Sequence, residues 1–375
     1  MTADRTTAPR KSARRRLLAG AALLPLLALA ACGYGSEKKD DTTNAAASSG
    51  TSKKLSASTV KIGYFANLTH ATALVGLKEG FFAEELGSGT TIKESVFNAG
   101  PAEIEALNAG SIDIGWIGPS PAVNGWTRSG GKSLKIISGS ASGGVKLVVD
   151  PDKIKTLKDV KGKKIATPQL GNTQDVAFLN WIAEQGWKVD ATSGKGDVSV
   201  VRTDNKITPD AYRAGSIDGA WVPEPTASKL VAEGAKVLLD ESGLWPDKKF
   251  VITNVIVSQT FLKEHPDVVE AVLRGSVKTN AWINANPDKA KADANAQLEK
   301  LSGKPLPADV IDPAWSSIQV IDDPLASTLR TEADHAVTAG LLEKPALKGI
   351  YDLTLLNKVA EAYGKPAVDD AGLGG

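Results

Sequence analysis

Two loops of the sequence place hydroxyl, amide and imidazole groups directly before segments with a helical pattern. Thr69 and His70 end the first loop, and Asn172 and Thr173 end the second. A helix that begins there offers free backbone N–H groups and a partial positive charge, so both positions can hold an anion. For Asn172 and Thr173, a helix-capping role alone explains the residue types equally well.

His70 is the sharpest single candidate for ligand contact. The chain has three histidines, and the other two fit a helix start before proline (His265) and a helix surface (His335). A histidine that points into a cleft can donate to an oxyanion, and more strongly when it is protonated. The alternative is that His70 only caps the helix that follows it.

Four other polar or aromatic residues lie at or just after the ends of predicted strands. Ser120 lies between two prolines, so it is either a hydroxyl that reaches a ligand or an ordinary turn residue. Trp116 and Trp221 end the two matching strands described below and fit core positions, although Trp221 lies close to Glu224 and could line a cleft. Glu224 either receives an ammonium group or forms a salt bridge on the rim.

The elements that must position these residues are repeated in the sequence. Residues 109–122 read AGSIDIGWIGPSPA and residues 214–227 read AGSIDGAWVPEPTA. Both fit a helix that ends at glycine, followed by an apolar strand and a proline-containing loop. Upstream of each copy, Lys61 and Lys164 begin a strand that leads into one of the two polar loops.

This layout predicts two α/β lobes with parallel strands covered by helices. Ligands of such sheets lie at the carboxyl ends of the strands, so the loops of both lobes should face each other across a cleft. We interpret the apolar segments 145–149 and 251–257 as two crossover strands that form a hinge. The predicted lobes are 58–146 plus 253–375 for the first and 147–252 for the second.

After residue 258 the pattern is mostly helical, and we expect these helices to pack on the first lobe. The predicted helices are 259–285, 287–301, 324–339 and 352–363.

The N-terminus carries the features of an export signal. A basic stretch is followed by the apolar run Leu17–Ala31 and then by Cys32, the single cysteine of the chain. The apolar run is shorter than a membrane-spanning helix, and small residues before a cysteine resemble a bacterial lipobox. We predict a lipoprotein signal peptide over 1–31, with export by the general or the twin-arginine route. Residues 32–57 are then a disordered tether after a lipidated Cys32.

Composition and missing motifs exclude several classes of protein. The 44 basic and 43 acidic residues nearly cancel, which argues against a nucleic-acid-binding protein. The sequence has no HExxH or CxxC spacing, no GxSxG motif and no glycine-rich phosphate loop. We therefore expect no metal site and no cofactor, while the sequence alone leaves a Ser-His-Asp arrangement open.

Three segments carry a resemblance to a known family, and together with the residues between them they span roughly 58–285. They are KIGYFANLTHATALVGLKEGFFAEE, AGPAEIEALNAGSIDIGWIGPSPA and IATPQLGNTQDVAFLNWI. They resemble the ABC-importer binding proteins for aliphatic sulfonates, nitrate and taurine. The resemblance implies a two-lobed type II periplasmic-binding-protein fold, a permease and an ATPase as partners, and no enzymatic activity. We expect a monomer, held at the outer face of the cell membrane by the predicted lipid on Cys32.

The resemblance also implies a site in which loop hydroxyls and amides bind a small sulfonate-like anion. Carried over by position, the ligand-binding residues are Asn67, Thr69, His70, Ser120, Ser138, Ser140, Asn172, Thr173, Gln174, Trp221 and Glu224. One departure is that these loops hold no arginine to clamp an oxyanion. Nitrate, taurine or a pyrimidine precursor are alternative ligands, a receptor for a sensor is an alternative role, and an enzyme related to the thiamine-pyrimidine synthases is a distant one.

Overall fold

The computed structural model describes residues 54–375, and the predicted signal peptide, Cys32 and most of the predicted tether lie outside them. The described part contains eleven strands: β1 (Thr59–Phe65), β2 (Thr91–Phe97), β3 (Ile114–Ile117), β4 (Leu134–Gly143), β5 (Val145–Val149), β6 (Lys164–Thr167), β7 (Ser199–Arg202), β8 (Gly219–Pro223), β9 (Lys236–Asp240), β10 (Val251–Ser258) and β11 (Ile318–Val320).

The same part of the chain contains thirteen α-helices: α1 (Ala71–Lys78), α2 (Phe81–Leu86), α3 (Gly100–Asn108), α4 (Pro119–Arg128), α5 (Thr173–Glu184), α6 (Thr208–Arg213), α7 (Thr226–Ala232), α8 (Gln259–Glu264), α9 (Pro266–Ala285), α10 (Pro287–Ser302), α11 (Ala308–Ser316), α12 (Ala326–Thr338) and α13 (Thr354–Ala362). None of the helices in residues 54–375 combines the length and the apolar character that a membrane span requires.

The strands form two mixed sheets. The first has the order β11-β4-β10-β3-β1-β2 and the second has the order β7-β6-β8-β5-β9. In each sheet a parallel set (β2, β1 and β3; β7, β6 and β8) continues into antiparallel strands. The predicted α/β class with two sheets is therefore confirmed, and the polar loops emerge at the carboxyl ends of the parallel strands.

The internal repeat forms the same local structure in both sheets. Gly110 and Gly215 have φ of 67° and 66°, the left-handed conformation that ends a helix. Three residues later, Asp113 and Asp218 each accept a hydrogen bond from a backbone N–H of the neighbouring strand. The donor to Asp113 is Lys61 in β1, at 2.8 Å, and the donor to Asp218 is Lys164, the first residue of β6, at 2.9 Å. The repeated Ser-Ile-Asp thus fixes the register between adjacent strands, which a chance similarity would not explain.

The chain crosses between the sheets beside the strands that we predicted as crossovers. Segment 145–149 is β5 and pairs only within the second sheet, while 251–257 lies in β10 of the first sheet. The outward passage is made by Gly143 and Gly144, with φ of 78° and 73°, and the return by residues 241–250. Only glycine adopts two consecutive positive φ angles readily, so the turn occurs there.

The helical tail differs from the sequence prediction at two points. The predicted helix 259–285 is broken at His265, because Pro266 has no N–H and starts α9 instead. Helix α11 was not predicted; it contains Pro313, which hides the helical pattern.

The ordered body begins before the predicted end of the tether. Ser56 donates its backbone N–H to the Asp267 carboxylate at 2.8 Å, and Ala57 is buried in the first core. Residues 54–57 therefore belong to the globular part.

Candidate functional site

A narrow cavity lies between the carboxyl edges of the two sheets. From the first sheet and its loops it is lined by Phe65, Asn67, Thr69, His70, Asn98, Gly118 and Ile252; from the second it is lined by Asn172, Thr173, Gln174, Asn205 and Pro223. The predicted convergence of the two polar loops is therefore what the structure shows: residues 67–70 and 172–174 share one cavity.

His70 enters the cavity as a neutral imidazole. Its ring is 2% exposed and lies 4.4 Å from the Phe65 ring, centroid to centroid. The Phe65 backbone N–H donates to His70 Nδ1 at 3.3 Å, so Nε2 carries the proton and is a donor. Burial lowers the pKa of His70 to about 3, so the predicted contribution of a protonated ring does not apply near neutral pH.

Asn172 connects the two sides of the cavity. It is the residue before α5, but its side chain does not cap that helix. Asn172 Oδ1 instead accepts the backbone N–H of Gly100, the first residue of α3 on the opposite side, at 3.1 Å. Its Nδ2 donates to Gln174 Oε1 at 2.7 Å, so both polar ends of Asn172 bind protein. The bond to Gly100 therefore joins the two sides of the cavity and stabilises the closed cleft.

Thr173 has a free hydroxyl in the cavity. Its Oγ1 is buried and has no hydrogen-bond partner among the described residues. A Cβ added at Gly118 would lie 2.2 Å from that oxygen, so only glycine permits the close approach of the two sides at this point. A buried hydroxyl without a partner is costly, which indicates that a ligand or a water completes it.

The lining contains no ionised side chain. All its polar side chains are hydroxyls, amides or the neutral imidazole of His70. The nearby guanidinium of Arg202 is not available either, because it pairs with Asp175 at 2.9 Å. Asp175 also accepts from Thr167 Oγ1 and the Gly171 N–H, at 2.6 and 3.0 Å, so this ion pair shapes the loop before α5. The cavity therefore offers neutral hydrogen bonds to its occupant.

Residues 53–298 match the NMT1-like family. The chain belongs to this family. Among its relatives, the taurine-binding periplasmic protein of Escherichia coli (strain K12) is 29% identical over 237 residues, which cover 62% of this chain and 70% of that protein.

Solved structures show that this NMT1-like protein has the predicted two-lobed periplasmic-binding-protein fold. The alkanesulfonate-binding protein of Xanthomonas axonopodis pv. citri, solved with MOPS bound, superposes with a TM-score of 0.62 at 22% identity over 77% of this chain and 95% of its own. The nitrate-binding protein of Synechocystis PCC 6803 gives a TM-score of 0.66 at 16% identity, over 83% and 90% of the two chains.

Glu224 of the NMT1-like protein is buried in an ion pair rather than open to a ligand. Its Oε1 lies 2.6 Å from Lys146 Nζ, and its side chain is fully buried. Its carboxylate also accepts the backbone N–H and the hydroxyl of Ser228, at 3.0 and 3.1 Å. The predicted alternatives, an ammonium acceptor or a rim salt bridge, are both replaced by this internal pair, because no carboxylate oxygen remains free for a ligand.

Four other predicted ligand residues lie outside the cavity lining. Ser138 Oγ donates to the Gly139 carbonyl at 2.9 Å, and Ser140 Oγ donates to Thr72 Oγ1 at 3.0 Å. Trp221 Nε1 donates to Glu241 Oε2 at 2.6 Å within the second core, and the buried Ser120 hydroxyl has no partner in the described part of the chain. The geometry assigns structural contacts to Ser138, Ser140 and Trp221.

Sequence reasoning missed Asn98 and Asn205, which both line the cavity. Asn98 directly follows β2, and Asn205 lies three residues after β7. The rule that ligands meet the carboxyl ends of parallel strands would have identified both, had residues 91–97 and 199–202 been recognised as strands.

Proposed function

We propose that this protein is the extracytoplasmic solute-binding component of an ABC importer and that its interlobe cavity binds a small sulfonate-like anion. The observation that carries the proposal is the cavity itself, which both lobes line and whose polar side chains are all uncharged hydrogen-bonding groups. The names of the taurine-binding and alkanesulfonate-binding relatives support the same ligand class.

The donors come from both lobes. His70 Nε2–H and the Asn67 and Asn98 amides approach from the first lobe, and the Thr173 hydroxyl and the start of α5 approach from the second. Hydrogen bonds to a charged group contribute about 1.5–3 kcal/mol each, compared with about 0.5–1.5 kcal/mol between neutral groups. Several such bonds hold an oxyanion without a counter-charge, provided that the cleft closes around it.

Closure follows from the two connections between the lobes. Rotation about Gly143–Gly144 and the segment 241–250 would separate the donors of one lobe from those of the other. The closed form is the state that would dock on the permease, and opening there would release the ligand. No step of this cycle requires a chemical reaction of the ligand.

Titration calorimetry of the purified protein with ethanesulfonate tests the proposal. We expect one site per chain, with nitrate as a competitor. We expect Thr173→Val to weaken binding about twentyfold, because valine has nearly the shape of threonine but lacks the hydroxyl that donates to the charged ligand. Ser138→Ala, which removes a hydroxyl outside the cavity, should bind as the parent protein does. If neither sulfonates nor nitrate bind at millimolar concentration, the assignment of an oxyanion ligand is wrong.

We further propose that Cys32 is lipidated and anchors the protein to the outer face of the membrane. The small residues before Cys32 and the basic, apolar signal upstream support this. Expression in a bacterium fed radiolabelled palmitate should label the parent protein and leave Cys32→Ser unlabelled and released from the membrane fraction. Equal labelling of both forms would contradict the anchor.

A further inference from the structure

A second, larger chamber lies beside the cavity and shares part of its wall. It has a volume of about 770 Å³, including its open mouth, and it shares Asn67, Asn98 and Asn205 with the inner cavity. These three asparagines form a waist between the two chambers. A ligand longer than a bare oxyanion would therefore extend through the waist into the outer chamber.

The outer chamber contains a cation without an anionic partner. Lys229 of α7 lines it and is half-buried, and no carboxylate of residues 54–375 lies within 4.0 Å of its Nζ. The carboxylate that acts on Lys229 electrostatically is that of Glu233, but its Oε1 forms a salt bridge with Arg213 at 3.2 Å. Burial lowers the pKa of Lys229, which is the effect of removing a cation from water without supplying an opposite charge.

The other charged groups of the chamber do not neutralise Lys229. Asp204 accepts the backbone N–H of Lys206 through Oδ1 at 2.9 Å, and Lys206 itself is exposed at the rim. Two cations and one carboxylate therefore face the chamber, in contrast to the inner cavity, where no side chain is charged.

The waist also carries an unpaired acceptor. Asn205 Oδ1 is buried and has no partner among the described residues, although the residue lines both chambers. Buried polar atoms are normally paired, and because a sulfonate or a carboxylate has no proton to donate, a water in the waist would have to supply the missing donor.

We propose that the ligand is a small organic sulfonate with a second anionic group, held with the sulfonate in the inner cavity and the second group beside Lys229 Nζ. This inference rests on the proposed function and names the ligand class of the same site. An ω-amino sulfonate would place its ammonium group near Lys229 and be disfavoured. Glu224, the carboxylate predicted from the sequence as an ammonium acceptor, is already paired with Lys146.

Three ligands that differ only in the end group test this assignment by calorimetry. Sulfoacetate carries a carboxylate, ethanesulfonate carries no second charge, and taurine carries an ammonium group. We expect sulfoacetate to bind about tenfold more tightly than ethanesulfonate, and taurine to bind more weakly than either, because the charges interact in a partly desolvated chamber. The preference should diminish at high salt.

Variants of Lys229 separate its charge from its packing. Lys229→Met keeps the aliphatic stem and should bind all three sulfonates with similar affinity, whereas Lys229→Arg keeps the charge and should retain the preference. Lys206→Met, which removes the exposed rim cation, should change the ratio little. Thermal unfolding of each variant establishes that it is folded.

The outcomes distinguish this inference from the proposed function. If ethanesulfonate binds but sulfoacetate has no advantage, or the advantage survives in Lys229→Met, the role of Lys229 is wrong while the sulfonate site stands. If none of the three binds, the sulfonate site and the inference are both overturned.

Discussion

Replacing His70 with asparagine should weaken ethanesulfonate binding by about a hundredfold while the protein stays folded, because a donor to a charged group is worth about 1.5–3 kcal/mol. The asparagine oxygen can occupy the place of Nδ1 and accept the Phe65 N–H, which the imidazole accepts at 3.3 Å. The Nε2–H donor, which we place towards the ligand, has no counterpart in asparagine. The change therefore removes the ligand contact and preserves the internal one.

His70→Gln is the matched control for this prediction. Its amide nitrogen can reach the position of Nε2 and donate to the ligand, but it leaves the Phe65 N–H without its acceptor. We expect His70→Gln to bind more tightly than His70→Asn and to unfold at a lower temperature. The reverse order of affinities would show that His70 serves the fold and not the ligand.

The neutrality of His70 also determines the pH dependence of binding. Because burial lowers its pKa to about 3, the ring does not gain a proton between pH 5 and 8. Sulfonates remain ionised over the same interval, so affinity should be nearly constant there. A rise in affinity towards pH 5 that disappears in His70→Asn would indicate a protonated ring in the complex.

Two hydrogen bonds connect the lobes across the cleft. Asn172 Oδ1 accepts from the Gly100 N–H at 3.1 Å, and the Leu68 N–H donates to the Glu224 carbonyl at 3.1 Å. Each is a single hydrogen bond between neutral groups, worth about 0.5–1.5 kcal/mol. Such bonds bias the closed state without locking it, which leaves the ligand to decide the equilibrium.

Local features of the sequence were sufficient to predict the fold class and the convergence of the two polar loops. Lys61 with Asp113 and Lys164 with Asp218 repeat one strand-pairing device, and each repeat lies within one segment of about fifty residues. Loop positions at the carboxyl ends of strands follow from such a layout. This is why residues 67–70 and 172–174 were predicted to share a cleft.

Pairings between distant residues could not be read from the sequence. Glu224 follows a strand, as a ligand residue would, but its partner Lys146 lies 78 positions away. Asn172 has the residue type of a helix cap, yet it binds the start of another helix, 72 positions away. In both cases the side chain is satisfied by tertiary contacts, and only the folded structure shows which polar groups are left for a ligand. Thr173, His70 and Lys229 are among those groups.

A pair of buried carboxyl groups lies away from the cleft, where the second core meets α12. Glu241 is 2% exposed and Glu332 is 1% exposed, and the charge of Glu241 raises the pKa of Glu332. Burial raises the pKa of Glu241 to about 7, against hydrogen bonds from Trp221 and Trp245 that lower it. Burial, followed by repulsion from Glu241, raises the pKa of Glu332 as well. Two ionised carboxylates here would oppose the packing of α12 on the second lobe.

Glu241→Gln should therefore stabilise the protein at pH 8 by about 3 kcal/mol and have little effect near pH 4.5, since the pKa is raised from 4.5 to about 7 and one pKa unit corresponds to about 1.4 kcal/mol. The folded-state pKa of Glu241, about 7, exceeds its ordinary value of 4.5, so the folded protein holds this proton more tightly than the unfolded chain. Its contribution is complete below pH 4.5 and is lost as the pH rises through 7. Glutamine has the shape and hydrogen-bonding groups of the protonated acid, so it keeps the bond from Trp221 at every pH.

Urea unfolding at several pH values measures the difference in the free energy of unfolding, with Glu264→Gln, a change at an exposed residue, as the control. If the free energy of unfolding depends on pH in the same way in the parent protein and in Glu241→Gln, Glu241 does not titrate in this range.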